Sequence, residues 1–61
     1  MDESGLWTHE RLAAFLGIDE QTLHKLNSQG RGPARYRVGR YNRYHPDDIQ
    51  AWLQAQRIPA N

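Results

Sequence analysis

The stretch Leu12-Ala13-Ala14-Phe15-Leu16-Gly17-Ile18-Asp19-Glu20-Gln21-Thr22-Leu23-His24-Lys25-Leu26-Asn27 decides how this chain folds. Leu12, Phe15 and Leu16 form an i, i+3, i+4 apolar stripe, the period of one helix face. Gly17 breaks that period, and Leu23 and Leu26 begin a second stripe. Two short amphipathic helices separated by a glycine turn are the sequence form of a helix-turn-helix.

The flanks carry the start and stop signals such a unit needs. Thr8 is suited to cap the first helix, which places Trp7 at N′ and Leu12 at N4, a hydrophobic staple. Glu10 falls in the first turn, where the helix dipole favours an acid. The first helix is then expected over about 9–16, with Gly17 in the left-handed conformation just past its end. The same grammar repeats at once. Asp19 caps a second helix over about 20–28, Ile18 and Leu23 form its staple, and Gly30 ends it.

Downstream, Gly30-Arg31-Gly32-Pro33 reads as a flexible joint followed by a stop, and residues 35–45 (RYRVGRYNRYH) read as a β-hairpin. A two-residue loop, Gly39-Arg40, would pair Val38 with Tyr41 and Tyr36 with Arg43, mixing charge into the apolar face. A three-residue loop, Gly39 to Tyr41, pairs Val38 with Asn42, Tyr36 with Tyr44 and Arg37 with Arg43. The second register is preferred because it keeps the faces separate. It sets like charges across a ladder, which is destabilising, so an arginine-bearing face of this kind makes sense when an anion sits on it.

Pro46 suits the first position of a third helix, with Asp47 and Asp48 in its first turn. Ile49, Trp52 and Leu53 give its i, i+3, i+4 stripe over about 46–56, Arg57 complements its dipole, and Ile58 is available to pack back. The expected fold is mainly α with a small β-hairpin, in the order α-α-β-β-α. Its expected core is Trp7, Leu12, Phe15, Leu16, Ile18, Leu23, Leu26, Tyr36, Val38, Tyr44, Ile49, Trp52 and Leu53. Residues 1–5 read as a flexible N-terminus, 6–57 as one domain and 58–61 as a loose tail.

Bulk properties narrow the function. Sixty-one residues make one small domain, and a chain this short buries only about 60% of its unfolded surface. There is no cysteine for a staple or a thiolate metal site. The acidic start has no apolar run, so no signal peptide is expected, and no stretch approaches the roughly 20 apolar residues of a membrane span. A cytoplasmic location is the default. Net charge is only +1, yet it is segregated: residues 1–20 carry −4, residues 21–45 carry +6 with no acid, and residues 46–61 carry −1. Segregation of this kind suits a polyanion-binding face. Five of the six middle bases are arginines, the side chain that forks onto phosphates and guanine edges.

At this point the chain resembles the small winged helix-turn-helix domains of the MerR-like superfamily, particularly the excisionase and AlpA-type group. The resemblance rests on Leu6-Trp7-Thr8, on Leu16-Gly17-Ile18-Asp19 at the turn, and on Gly30-Arg31-Gly32-Pro33 after the second helix. It continues through Val38-Gly39-Arg40 at the wing and residues 43–53 (RYHPDDIQAWL) at the end. It covers about residues 6–57. It implies that the second helix enters the DNA major groove while the wing meets backbone or minor groove. By position, the recognition residues are Glu20, Gln21, Thr22, His24, Lys25 and Ser28. Those of the joint and wing are Arg31, Arg35, Arg37, Arg40, Tyr41 and Arg43. The implied role is that of an excisionase, a recombination directionality factor that binds and bends attachment-site DNA. A small transcriptional regulator of the same fold is the alternative. Double-stranded DNA is the expected partner. An integrase or recombinase, and further copies of the chain on adjacent sites, are the other partners the resemblance implies.

Other chemistries fit poorly. His9, His24 and His45 lack the paired spacing of a metal site and have no cysteine to assist them, so neither metal nor cofactor is expected. Asp47 and Asp48 are adjacent on a helix and point in different directions, which suits capping better than acid–base catalysis. No nucleophile set is apparent, and the chain reads as a non-enzyme. A protein-interaction module, contacting an integrase or another copy through the wing edge or the third helix, is the reading of a different class.

Overall fold

Local capping defines the first two helices. In the computed structural model, which describes residues 5–60, strand β1 (Trp7–Thr8) leads directly into helix α1 (His9–Leu16). The Thr8 hydroxyl accepts from the Arg11 amide at 3.0 Å. At the other end Gly17 takes φ 73°. Its amide donates to the Ala14 carbonyl at 3.2 Å, and the Ile18 amide to the Ala13 carbonyl at 3.0 Å. These are the paired bonds of a Schellman ending, which satisfies carbonyls the helix leaves orphaned. Helix α2 (Glu20–Ser28) repeats the device. Asp19 accepts from the Thr22 amide at 2.7 Å, and the Gly30 and Arg31 amides return to Asn27 and Leu26.

Strands β2 (Tyr36–Val38) and β3 (Tyr41–Tyr44) form the hairpin, and helix α3 (Pro46–Gln56) follows with Pro46 at its start. The observed order is β-α-α-β-β-α, a mainly helical fold with a three-stranded antiparallel sheet ordered β1-β3-β2. It is consistent with a winged helix-turn-helix. The expected loose stretch 1–5 lies, Gly5 excepted, outside the described residues, as does Asn61 of the tail. Ile58 is 90% exposed and does not pack back.

The hairpin register differs from the expected one. Val38 pairs with Tyr41, Arg37 with Asn42 and Tyr36 with Arg43 around a two-residue Gly39-Arg40 loop. Gly39 has φ 63° and Arg40 does not have positive φ, the II′ pattern whose twist matches the flanking strands. The reason is a strand that the hairpin's own sequence does not contain. Tyr44 pairs with Trp7 and Arg43 with Thr8 of β1. Tyr44 therefore finds its apolar neighbour across β3, not in Tyr36. Arg37 and Arg43 fall on opposite faces, so no stack of like charges forms across the ladder.

The core is smaller than expected. Leu12, Ala13, Leu23, Tyr44 and Ile49 are buried, with Trp7, Leu16, Ile18 and Leu53 packed against them. Each large apolar side chain of this set contributes about 1.5–3 kcal/mol by leaving water. Pro33 is buried too. Phe15, Tyr36 and Val38 were expected in the core but are 56%, 53% and 54% exposed. At about 100° per residue, Leu12, Ala13 and Leu16 share one arc of α1. Phe15 falls outside that arc and meets Trp7 edge-on at 5.2 Å between ring centroids. The small Ala13 instead joins Leu12, Leu23, Tyr44 and Ile49 in the buried cluster. Tyr36 and Val38 are exposed as a direct result of the register.

Candidate nucleic-acid interface

Helix α2 and the hairpin flank two adjoining depressions. The smaller, about 210 Å³, lies between the C-terminal half of α2 and the inner face of the hairpin. It is lined by His24, Asn27 and Ser28 on one side and by Arg35, Arg37, Arg40 and Asn42 on the other. Three arginines and no acid line it. Among the described residues, none of the three has a carboxylate within salt-bridge distance. Arg35 donates to the Pro33 carbonyl at 3.3 Å, which leaves most of its fork available.

The larger cleft, about 310 Å³, opens where the starts of α1 and α2 meet the hairpin turn. It is mixed in charge: Glu10 and Glu20 face Arg40 and Arg43 around Thr8, His9, His24, Tyr41 and Asn42. Arg43 also lies 5.4 Å over the Tyr41 ring, a cation–π contact that holds both side chains at the rim.

The expected site residues separate into three groups. His24, Ser28, Arg35, Arg37 and Arg40 are brought together around the acid-free groove. Glu20, His24, Arg40, Tyr41 and Arg43 are brought together around the mixed cleft. Gln21, Thr22, Lys25 and Arg31 are exposed and line neither. Arg31 donates to the Gln29 amide oxygen at 3.1 Å, and Ser28 spends its hydroxyl proton on the Lys25 carbonyl at 3.0 Å. Ser28 thus offers the groove an acceptor.

Thr8, His9, Glu10, Asn27 and Asn42 line the two depressions without having been among the expected contacts. Asn42 lies between the depressions as the ladder partner of Arg37. Asn27, near the end of α2, is buried and donates to the Tyr44 hydroxyl at 2.9 Å. His9 does not sit in an open first turn. Its Nδ1 is 3.1 Å from the Tyr44 hydroxyl, its Nε2 donates to the Glu20 carbonyl at 3.0 Å, and its ring stacks on His24 with centroids 4.3 Å apart. A polar residue within a helix's apolar arc is a signal for Asn27, whereas His9 has no local one.

One pKa shift bears on α2. The Thr22 hydroxyl and then the Thr22 amide bond to Asp19 and hold its carboxyl below the usual carboxylate value, with a smaller contribution from Lys25. The cap therefore keeps its negative charge at the positive end of the α2 dipole. His45 serves the same purpose for α3, its Nδ1 accepting from the Asp47 amide at 3.1 Å.

Among the described residues no three His, Asp or Glu side chains converge as a metal-ligand set. Among the described residues no helix is long and apolar enough to cross a membrane. Among curated proteins, none matches the chain. A family model described as a helix-turn-helix domain matches residues 8–57, which takes in every element from Thr8 to the end of α3. By that match, which spans most of the chain, the protein belongs to this family of small DNA-binding helix-turn-helix domains.

Proposed function

We propose that the protein reads specific double-stranded DNA sites with α2 in the major groove and clamps the adjoining backbone with the hairpin. The observation that carries this is the acid-free groove between α2 and the wing, where Arg35, Arg37 and Arg40 face His24 and Ser28. A phosphate strand leaving the major groove beside α2 meets three guanidinium forks there. Gln21, Thr22, Lys25 and Glu20 are exposed and can meet base edges, Lys with guanine, Gln with adenine and Glu with cytosine. The resemblance to the MerR-like excisionase and AlpA-type group extends this to a role as a recombination directionality factor that bends attachment-site DNA. A small transcriptional regulator would use the same surface.

Phosphate contacts and base contacts give separable results. With four to six bases on phosphates, log K should fall against log salt with a slope of about −4 to −5. Arg37→Ala should flatten that slope by about 1 and weaken binding to all sequences alike. A slope near zero for the unaltered protein, measured by titrating labelled duplex at several salt concentrations, overturns the clamp. Excision with purified integrase, with and without this protein, separates the directionality role from the regulatory one. A circular-permutation gel tests bending.

A second reading is favoured by one observation. Tyr36, Val38 and Tyr41 are each more than half exposed on the outer hairpin face. They form an apolar patch at the sheet edge that a protein partner, an integrase or another copy, could cover.

A further inference from the structure

The side chains of Asn27, Tyr44 and His9 form a hydrogen-bond chain that runs one way when the His9 ring carries a single proton. The Glu20 carbonyl can only accept, so the His9 Nε2 at 3.0 Å carries the proton. A neutral imidazole then has a bare Nδ1, and the Tyr44 hydroxyl at 3.1 Å donates to it. With its one proton committed, the Tyr44 oxygen accepts from Asn27 Nδ2 at 2.9 Å. Every link runs the same way, from Asn27 through Tyr44 and His9 to Glu20.

The ends of this chain matter more than its links. Glu20 is the first residue of α2 and Asn27 its last but one. Tyr44 is fully buried at the end of β3, the strand that pairs with both others. One phenol oxygen thus references both ends of the reading helix to the sheet that carries the wing. The Asn27 amide cannot turn away freely. A Cβ at residue 32 would collide with its Oδ1, so the Gly32 backbone closes over it. That oxygen is buried with no partner among the described residues, so the bond from Nδ2 to Tyr44 is the contact that orients the amide.

We propose that Tyr44 is a positioning residue for DNA reading. Its hydroxyl sets the angle between α2 and the hairpin, so that base contacts and backbone contacts are made together. This rests on the reading of α2 and the wing given above. Tyr44 touches no DNA in this role; it acts through His9 and Asn27. Tyr44→Phe removes one oxygen and leaves the ring in the core. It unpairs an acceptor on His9 and a donor on Asn27, each costly to leave unmade. The helix and the wing keep their own side chains but lose their common reference.

The test uses a duplex recovered from a random-sequence pool with the unaltered protein and a scrambled duplex of the same composition. Tyr44→Phe should lower the ratio of the two affinities by about tenfold, because a small misalignment removes directional base contacts first. The salt slope should stay unchanged, since no phosphate contact is removed. His9→Phe, which keeps a ring against His24, cuts the same chain at its more exposed end and should act alike. Combined, the two substitutions should cost little more than either alone, as expected of residues in one network. If Tyr44→Phe does not fold, His9→Phe carries the ratio measurement.

A ratio unchanged in folded variants overturns the inference and leaves the DNA-reading proposal standing. Equal loss of affinity for both duplexes overturns it too, since that is what a merely structural role gives. An unaltered protein that prefers no duplex overturns both.

Discussion

At the scale of single residues, the chain's instructions are mostly local and mostly obeyed. Thr8, Gly17, Asp19, Gly30 and Pro46 each stand where a helix begins or ends. Each acts within about four residues of itself, through one side-chain bond or one left-handed φ. Asp19 makes this testable by pH. Its folded carboxyl titrates below the usual value, so the charged cap stabilises the fold above that value. The contribution is lost as pH falls through the folded value. Asp19→Asn caps about as well but cannot titrate. The difference in Tm between the two proteins should therefore shift as pH is lowered through and below the carboxylate range, and be constant at neutral pH. A thermal-melt series that shows a constant difference throughout removes Asp19 from the acid response.

At the scale of elements, the helices and the hairpin behave differently. All three helices stand where capping and periodicity place them. The hairpin was legible as a hairpin, but its register was not. Choosing between a two-residue and a three-residue loop required knowing what covers Tyr44, and that is Trp7, 37 positions earlier in the chain. A two-residue loop makes Gly39 sensitive. Gly39→Ala puts a side chain at φ 63°, which costs about 1–2 kcal/mol for an L-residue in the left-handed region. The space around Gly39 is open, so the whole cost is backbone strain. A denaturant midpoint equal to that of the unaltered protein would mean that the turn rearranges into the longer loop. The Arg37–Arg43 argument changes at this scale as well. The two arginines do not repel each other across a ladder; Arg37 belongs to the groove beside α2 and Arg43 to the mixed cleft. The pointer to an anion survives in another form, as arginines around an acid-free groove.

At the scale of the whole molecule, the third helix holds the joint between α2 and the wing. Trp52 of α3 donates its indole N–H to the Arg31 carbonyl at 2.8 Å, a contact across 21 positions. Pro33, two residues on from Arg31, is buried. The stretch that looked flexible in sequence is thus tied down at both Arg31 and Pro33. Trp52→Phe keeps an aromatic ring but loses this bond, and a net hydrogen bond is worth about 0.5–1.5 kcal/mol. Stability should fall by that amount, and amide exchange should quicken at residues 31–33 before it quickens in α1. Uniform acceleration across the chain would show that Trp52 supports the core generally and not the joint.

By itself the sequence determined the helix boundaries, the presence of a hairpin and the segregation of positive charge into residues 21–45. These depend on bonds within one turn or on residue identity alone. The outward face of α2 also follows from its periodicity, whereas the candidate contacts on the wing came from the family resemblance. Only the tertiary structure decided the third strand, the hairpin register, the exposure of Phe15, Tyr36 and Val38, and the Asn27–Tyr44–His9 chain. A two-residue strand such as Trp7–Thr8 has no periodicity to detect. A hydrogen bond between positions 9 and 44 leaves no mark on its neighbours in sequence. What reads as a helix-turn-helix with a basic wing is, in three dimensions, a helix held at both ends by one buried phenol of that wing.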